Sequence, residues 1–392
     1  MEDLFTFLKG HNSWEVQQKK LPPVDVIDLS LETTAMCQEQ TGSNPVRPHM
    51  LEFNSTGSHG VLAFVASGHV VIFDSETREP VSCIISSVGF NGNQQAHAAF
   101  PSADDTYILI ANQNGKLLER IDADYSTNSF ELNPEATLSL YEGVTPNDVP
   151  VEDPDLRPDN APICPILDKE NNLGFVTLRG GGLFVVKANE TPMEIVAEYT
   201  NEVIKGNGCG GLESGDSMFM NSGGGTAQNL FTFEVYRFPL AGYSPENPPN
   251  YPEVELIFAD NSEDRDSHGM VLTNHERYLW VFDRGSSLAE IFDTSTGSHV
   301  NTMYLDQNAE GRLTPDLASL SPAGNRIFVS LRGPEALTGD PHVATGSAPG
   351  IGIINVQQGG RSGTLHSVVP ISNIGTDGVE RADAHGINIR MW

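Results

Sequence analysis

Basic residues are scarce in this chain. Lys and Arg total 22 against 52 Asp and Glu in 392 residues, a net charge of −30 at pH 7. DNA, RNA and anionic membranes all select basic surfaces, so no nucleic acid and no membrane is expected as a partner. Long apolar runs are missing too, and nothing reaches the roughly 18 residues that a membrane-spanning helix needs. The opening residues, MEDLFTFLKGHNSW, have no basic stretch leading into an apolar one, so no secretory leader is read there. The compartment stays open: cytoplasm by default, periplasm if a leader has been removed. Four cysteines (Cys37, Cys83, Cys164 and Cys209) are too few to build a disulfide scaffold. No segment sustains a 3.6-residue apolar period, which leaves little room for helix.

Short runs of Val, Ile, Phe, Leu and Tyr are plentiful, bounded by Gly, Asn, Asp and Ser clusters that read as turns. They recur to one beat. The clearest unit is SHGMVLTNHERYLWVFDRGSSLAEIFDTSTGSHVNTMYL, with strands at residues 278–282, 288–292 and 299–305. Other units open at PHMLEF, AHAAFP, CPILDK, CGGLES and DLASLS. Four strands in a unit of roughly 45–70 residues is the arithmetic of a propeller blade. The leftovers supply one more: LFTFL (residues 4–8), VDVIDL (24–29), a segment near 34–37, and an innermost strand from the C-terminal DAHGINIRMW. The expectation is a single all-β domain over residues 1–392. It is read as a seven-bladed β-propeller, its ring closed by one C-terminal innermost strand plus N-terminal strands.

The segments VVIFDSET, VDVIDLSLET and EIFDTSTG resemble the signature of YVTN-repeat propellers, themselves similar to the lactonase-like propeller superfamily. The resemblance covers nearly the whole chain and implies a seven-bladed architecture. It selects no chemistry, because that superfamily includes lactonases, lyases and metal carriers. The GPRH-like segment of a phosphogluconate-type lactonase is absent, and RPHM at residues 47–50 belongs to the local repeat.

Aligning the units places His49, His97, Cys164, Cys209, His268, Asp316 and His385 at the entrance of the innermost strands, with Ile163 in strict register where Cys164 is one place off. In a propeller those entrances converge on one mouth of the axial channel. Packing alone would favour small apolar residues there, whereas His, Cys and Asp are transition-metal ligands. One transition-metal ion (Cu, Zn or Fe) is therefore expected, held by His49, His97, His268, His385 and Asp316, with Cys164 and Cys209 as further candidates. Asp266 and Asp383 each precede a column histidine by two positions and could hold its other ring N–H. For Cys164 and Cys209 three readings stay open: a disulfide across the mouth, two soft ligands, or two unrelated thiols. Cys37 and Cys83 read as core filling on outer strands.

A second column falls in the turn after each second strand: Asn112, Arg179, Asn221, Arg284 and Arg332. Guanidinium groups recognise carboxylate and phosphate, so these residues are expected to bind a small anionic substrate above the metal. The glycine-rich turns at 180–182 and 223–225 lead into no helix, so no nucleotide cofactor is expected. Long loops at 141–162, 243–252 and 375–384, together with His342, are read on the same face. The functional expectation is a metal-dependent enzyme: an oxidoreductase with a redox-active ion, a hydrolase or lyase with zinc. The alternatives are a metal carrier, chaperone or sensor without turnover, and a protein-interaction propeller without metal.

Overall fold

The computed structural model describes residues 4–8, 24–224, 231–244, 251–306, 311–335 and 345–390. His342 and the centre of the 243–252 loop lie outside these residues. Runs such as HVVIFD, YILIAN and YLWVFD are buried along almost their whole length, the mark of strands covered on both faces. A hairpin of β1 (Leu4–Leu8) and β2 (Val24–Asp28) comes first, then helix α1 (Glu32–Thr41).

Six four-stranded antiparallel sheets follow, each a simple meander. The first holds β3 (Pro48–Phe53), β4 (His59–Phe64), β5 (His69–Asp74) and β6 (Pro80–Ile85). The second holds β7 (Ala96–Pro101), β8 (Tyr107–Asn112), β9 (Leu117–Asp124) and β10 (Ser129–Ser139). In the third are β11 (Pro162–Leu167), β12 (Leu173–Leu178), β13 (Leu183–Lys187) and β14 (Glu194–Tyr199). The fourth has β15 (Gly211–Ser214), β16 (Ser217–Ser222), β17 (Glu234–Pro239) and β18 (Glu255–Ala259). The fifth has β19 (Ser267–Thr273), β20 (Tyr278–Asp283), β21 (Leu288–Asp293) and β22 (His299–Tyr304). The last has β23 (Pro315–Leu320), β24 (Arg326–Leu331), β25 (Gly350–Gln357) and β26 (Ser362–Pro370).

Each sheet's first strand is innermost: β3 packs on β7, β7 on β11, β15 on β19 and β19 on β23. Apolar clusters fill the spaces between successive sheets, as with Trp280, Phe282, Ile291, Ile327 and Val329 between the fifth and sixth. Among the described residues the molecule is thus a β-propeller of six blades, and the expected seventh is not formed. β1 and β2 pair only with each other, and residues 34–37 lie in α1. The ETTAMCQEQT segment buries only Thr33 and Cys37, one turn apart, a stripe too narrow to show as a period in the sequence. Gly42 ends the helix in a left-handed conformation, and the Gln40 side chain accepts from the backbone N–H of Cys83 on β6. Cys37 and Cys83 fill the core beneath the helix, as expected, and are in addition joined by a disulfide, Cα atoms 5.2 Å apart.

Residues 382–390 are assigned to no strand and run between the sixth sheet and the first. Arg332 binds Asp383, Ser330 Oγ donates to the His385 carbonyl, and Asn388 donates to Glu52 at 2.6 Å. Among the described residues no helix is long and apolar enough to cross a membrane.

Candidate metal centre

A bulge occurs at the same point in five sheets. The register between first and second strands shifts between Pro48 and Leu51, Ala96 and Ala98, Pro162 and Pro165, Ser267 and Met270, and Pro315 and Ala318. The residues inside those shifts include His49, His97, Cys164, His268 and Asp316. A bulge breaks the strict in–out alternation of a strand and re-aims a side chain. The chain also has to pass closely here. A Cβ on Gly386 would sit 2.9 Å from the His49 carbonyl, and one on Gly269 closer still to that of Asp316. Glycine after the column histidine therefore lets the neighbouring backbone in, rather than freeing the imidazole to turn.

The ring of side chains divides into an arc of imidazoles and a sulfur group. His49 Nε2 lies 3.3 Å from His97 Nε2, and the His49 ring stands edge-on to His385 with centroids 3.9 Å apart. The His385 and His268 centroids are 5.2 Å apart. His97 Nδ1 is 2.8 Å from the Ile163 carbonyl, which can only accept, so this nitrogen carries the proton and Nε2 the lone pair. Across the axis Cys164 and Cys209 are joined by a disulfide with Cα atoms 5.1 Å apart. Met50, beside His49, puts its sulfur 3.7 Å from Cys209 Sγ and 4.0 Å from Cys164 Sγ. The repeat pattern singles out His49 and not Met50, which follows it inside the same bulge.

His268, Asp316 and His385 are buried, and their ligand atoms lie within 4.8 Å of one another. Asp316 Oδ1 is 2.6 Å from His268 Nδ1, and Oδ2 is 3.5 Å from His385 Nδ1. Neither contact has hydrogen-bond geometry, and His268 Nδ1, His385 Nδ1 and Asp316 Oδ1 are buried without a hydrogen-bond partner among the described residues. Burial pushes the imidazoles toward the neutral form. It takes His49 and His385 well below the ordinary histidine range, His268 below it, and His97 to about 4. Burial also opposes ionisation of Asp316, but His385, His268, Arg332 and Arg284 outweigh it and hold the carboxyl well below its usual range.

Asp266 and Asp383 do not stand behind the histidines. Asp266 accepts from Arg284 at 2.9 Å, and Asp383 takes two bonds of 2.7 Å from Arg332, which gives a third to Asp316 Oδ2. Arg284 and Arg332 are thus buried and paired, not offered to a substrate. Arg179 is about a third exposed and binds Asp159 at 2.6 Å. Asn112 and Asn221 spend their carboxamides on the fold: Asn112 on Ser87, Gln95, Gly115 and Glu119, and Asn221 on Gly210 and the His268 carbonyl. Around the axis Arg284 and Arg332 are thus set among the carboxyl groups of Asp266, Asp316 and Asp383.

The 141–162 loop is pinned to the third sheet rather than hung over the mouth. Buried Arg157 pairs with Glu198 at 2.9 Å and lies over Phe184, and Thr145 donates to the same Glu198 at 2.6 Å.

No protein-family model and no curated protein matches the sequence. Solved structures do resemble it. A candidate 6-phosphogluconolactonase from Bacteroides fragilis is 12% identical with a TM-score of 0.55, over 83% of this chain and 88% of that one. The Cps50 (Swd1) propeller domain of Myceliophteria thermophila gives 12% and 0.54 over 88% and 90%. Kuenenia stuttgartiensis hydrazine synthase gives 13% and 0.53 over 79% and 76%. Likeness at this level establishes the fold alone: the chain is similar to β-propellers, a lactonase-like one among them.

Proposed function

We propose that this propeller binds one divalent transition-metal ion through His268, His385 and Asp316 and acts as a metal-dependent enzyme on a small substrate. The observation that carries the reading is the convergence of three buried donor atoms, His268 Nδ1, His385 Nδ1 and Asp316 Oδ1, none in a well-aligned hydrogen bond among the described residues although Asp316 Oδ1 lies 2.6 Å from His268 Nδ1. Leaving such groups unpaired costs about 1–3 kcal/mol each, and more for a charge. Two imidazoles and one carboxylate suit zinc or iron(II). The Asp316 carboxylate favours a cation, and burial, which lowers the imidazole pKa values, keeps the nitrogen lone pairs available. Three protein ligands leave coordination positions free, as catalytic sites do. Zinc would activate water there, and iron would support oxidation. Arg332 would hold the second oxygen of Asp316 and so fix the carboxylate as a one-oxygen ligand. An anionic substrate would be drawn by the ion's own charge rather than by Arg284 and Arg332, which their acids neutralise.

Metal analysis of tag-free protein tests this. About one ion per chain is expected, falling at least tenfold in affinity in His268→Ala/His385→Ala. Unchanged metal content in that variant would remove the axial site. An exchangeable water on the bound ion supports the enzyme, whereas a fully protein-ligated ion makes the chain a carrier.

A further inference from the structure

The sulfur group on the axis is chemically distinct from the His268–Asp316–His385 set. Met50, Cys164 and Cys209 come from three different sheets or their approaches, and all three are buried. Their sulfurs meet at 3.7 and 4.0 Å from the thioether. One ring nitrogen of His97 and both cysteine sulfurs lie within 4.8 Å of one another. His97 Nδ1 is committed to the Ile163 carbonyl, so Nε2, which now faces His49 Nε2 at 3.3 Å, is the nitrogen that would have to turn from His49 to bind. Simple apolar packing would put no imidazole against these sulfurs. Two thiolates, a thioether and an imidazole form a soft donor set, the kind that selects Cu(I) over harder divalent ions.

We propose that Met50, Cys164, Cys209 and His97 form a second axial site that takes one Cu(I) ion and that the Cys164–Cys209 disulfide keeps closed. While the sulfurs are bonded to each other no thiolate is available. A dithiol reductant opens the site by exchange: it gives two electrons and two protons, becomes a disulfide itself, and leaves Cys164 and Cys209 as thiols. Binding of Cu(I) then releases the thiol protons to solvent and forms copper–sulfur bonds, with no change in the oxidation state of the metal. Exchange with an external disulfide reverses this: the Cys164–Cys209 bond re-forms, the external disulfide takes two electrons and two protons to become two thiols, and Cu(I) leaves with its oxidation state unchanged. The site uses none of the three residues of the divalent site, so each reading stands or falls independently.

The test compares oxidised chain with chain reduced by dithiothreitol and freed of it anaerobically, both titrated with Cu(I) against bicinchoninate. The reduced form should hold one more equivalent than the oxidised form, with sulfur neighbours in its copper X-ray absorption spectrum. Cys164→Ser/Cys209→Ser should abolish that equivalent although Cys37 and Cys83 remain. Met50→Leu, which conserves volume, should weaken it by about tenfold or more. His268→Ala/His385→Ala should leave it intact, which separates this site from the divalent one. No extra equivalent on reduction, an extra equivalent that survives in Cys164→Ser/Cys209→Ser, or an unaltered affinity in Met50→Leu each overturns the proposal.

Discussion

At the scale of the residue, a slip in strand register decides which side chains reach the axis. The column of His49, His97, His268 and Asp316 was legible because it recurs at the same point of each repeat. Whether Ile163 or Cys164 belonged in it was not, since a bulge lets two successive residues oppose one and the alternation gives no warning. The partners of the acids were hidden for another reason. Spacing along a strand put Asp266 and Asp383 on the faces of His268 and His385, but guanidinium groups just past the ends of β20 and β24 compete for them and form charge-assisted, partly bidentate pairs. Further along β3, burial raises the Glu52 carboxyl to about 7 against its Asn388 hydrogen bond. The folded state then holds this proton more tightly than the unfolded chain, so stability falls as pH rises between about 4.5 and 7. Glu52→Gln removes the charge and keeps an acceptor for Asn388. It should melt with the wild type at pH 5 and above it at pH 8. A melting difference that is the same at both pH values would contradict this.

At the scale of the element, strands were read correctly where a run of β-branched and aromatic residues sits between turn residues, as for β20 and β21. The helix was not. α1 lacks a wide apolar face because it covers one strand edge rather than a sheet surface, and what holds it there is covalent and polar. The Cys37–Cys83 disulfide and the Gln40 bond to the Cys83 N–H fasten it to β6, where it shields an edge that would otherwise offer unpaired backbone groups. No rule of spacing pairs two cysteines 46 positions apart. Closing a loop of that length typically contributes about 2–4 kcal/mol. Cys37→Ser/Cys83→Ser should lose that much in urea unfolding, with faster hydrogen exchange confined to α1 and β6. An unchanged unfolding midpoint would mean that the helix is held by its packing alone.

At the scale of the whole molecule, the repeat announced a propeller, but the pattern could not count its blades. Strand-like composition says that a segment can pair, not with what, and β1 and β2 satisfy each other. The C-terminal residues reach the ring, as their match to the SHGMVL opening suggested, yet side chains rather than a hydrogen-bonded ladder hold them. Arg332 grips Asp383 from the sixth sheet, while Arg390 donates to the Gly57 and Ser75 carbonyls of the first at 2.8 and 2.7 Å. The segment is therefore a clasp between the last sheet and the first, and it carries His385 into the proposed metal set. A chain ending at residue 381 would lose both grips and leave Arg332 with Asp316 alone. Removing one partner of a buried ion pair costs about 3–5 kcal/mol, so the unfolding midpoint in urea should fall by at least that equivalent. Because closure and ligation share these residues, the shortened chain should also lose the divalent ion while the remaining sheets keep their circular dichroism. An unchanged midpoint would mean that the six blades close without the clasp.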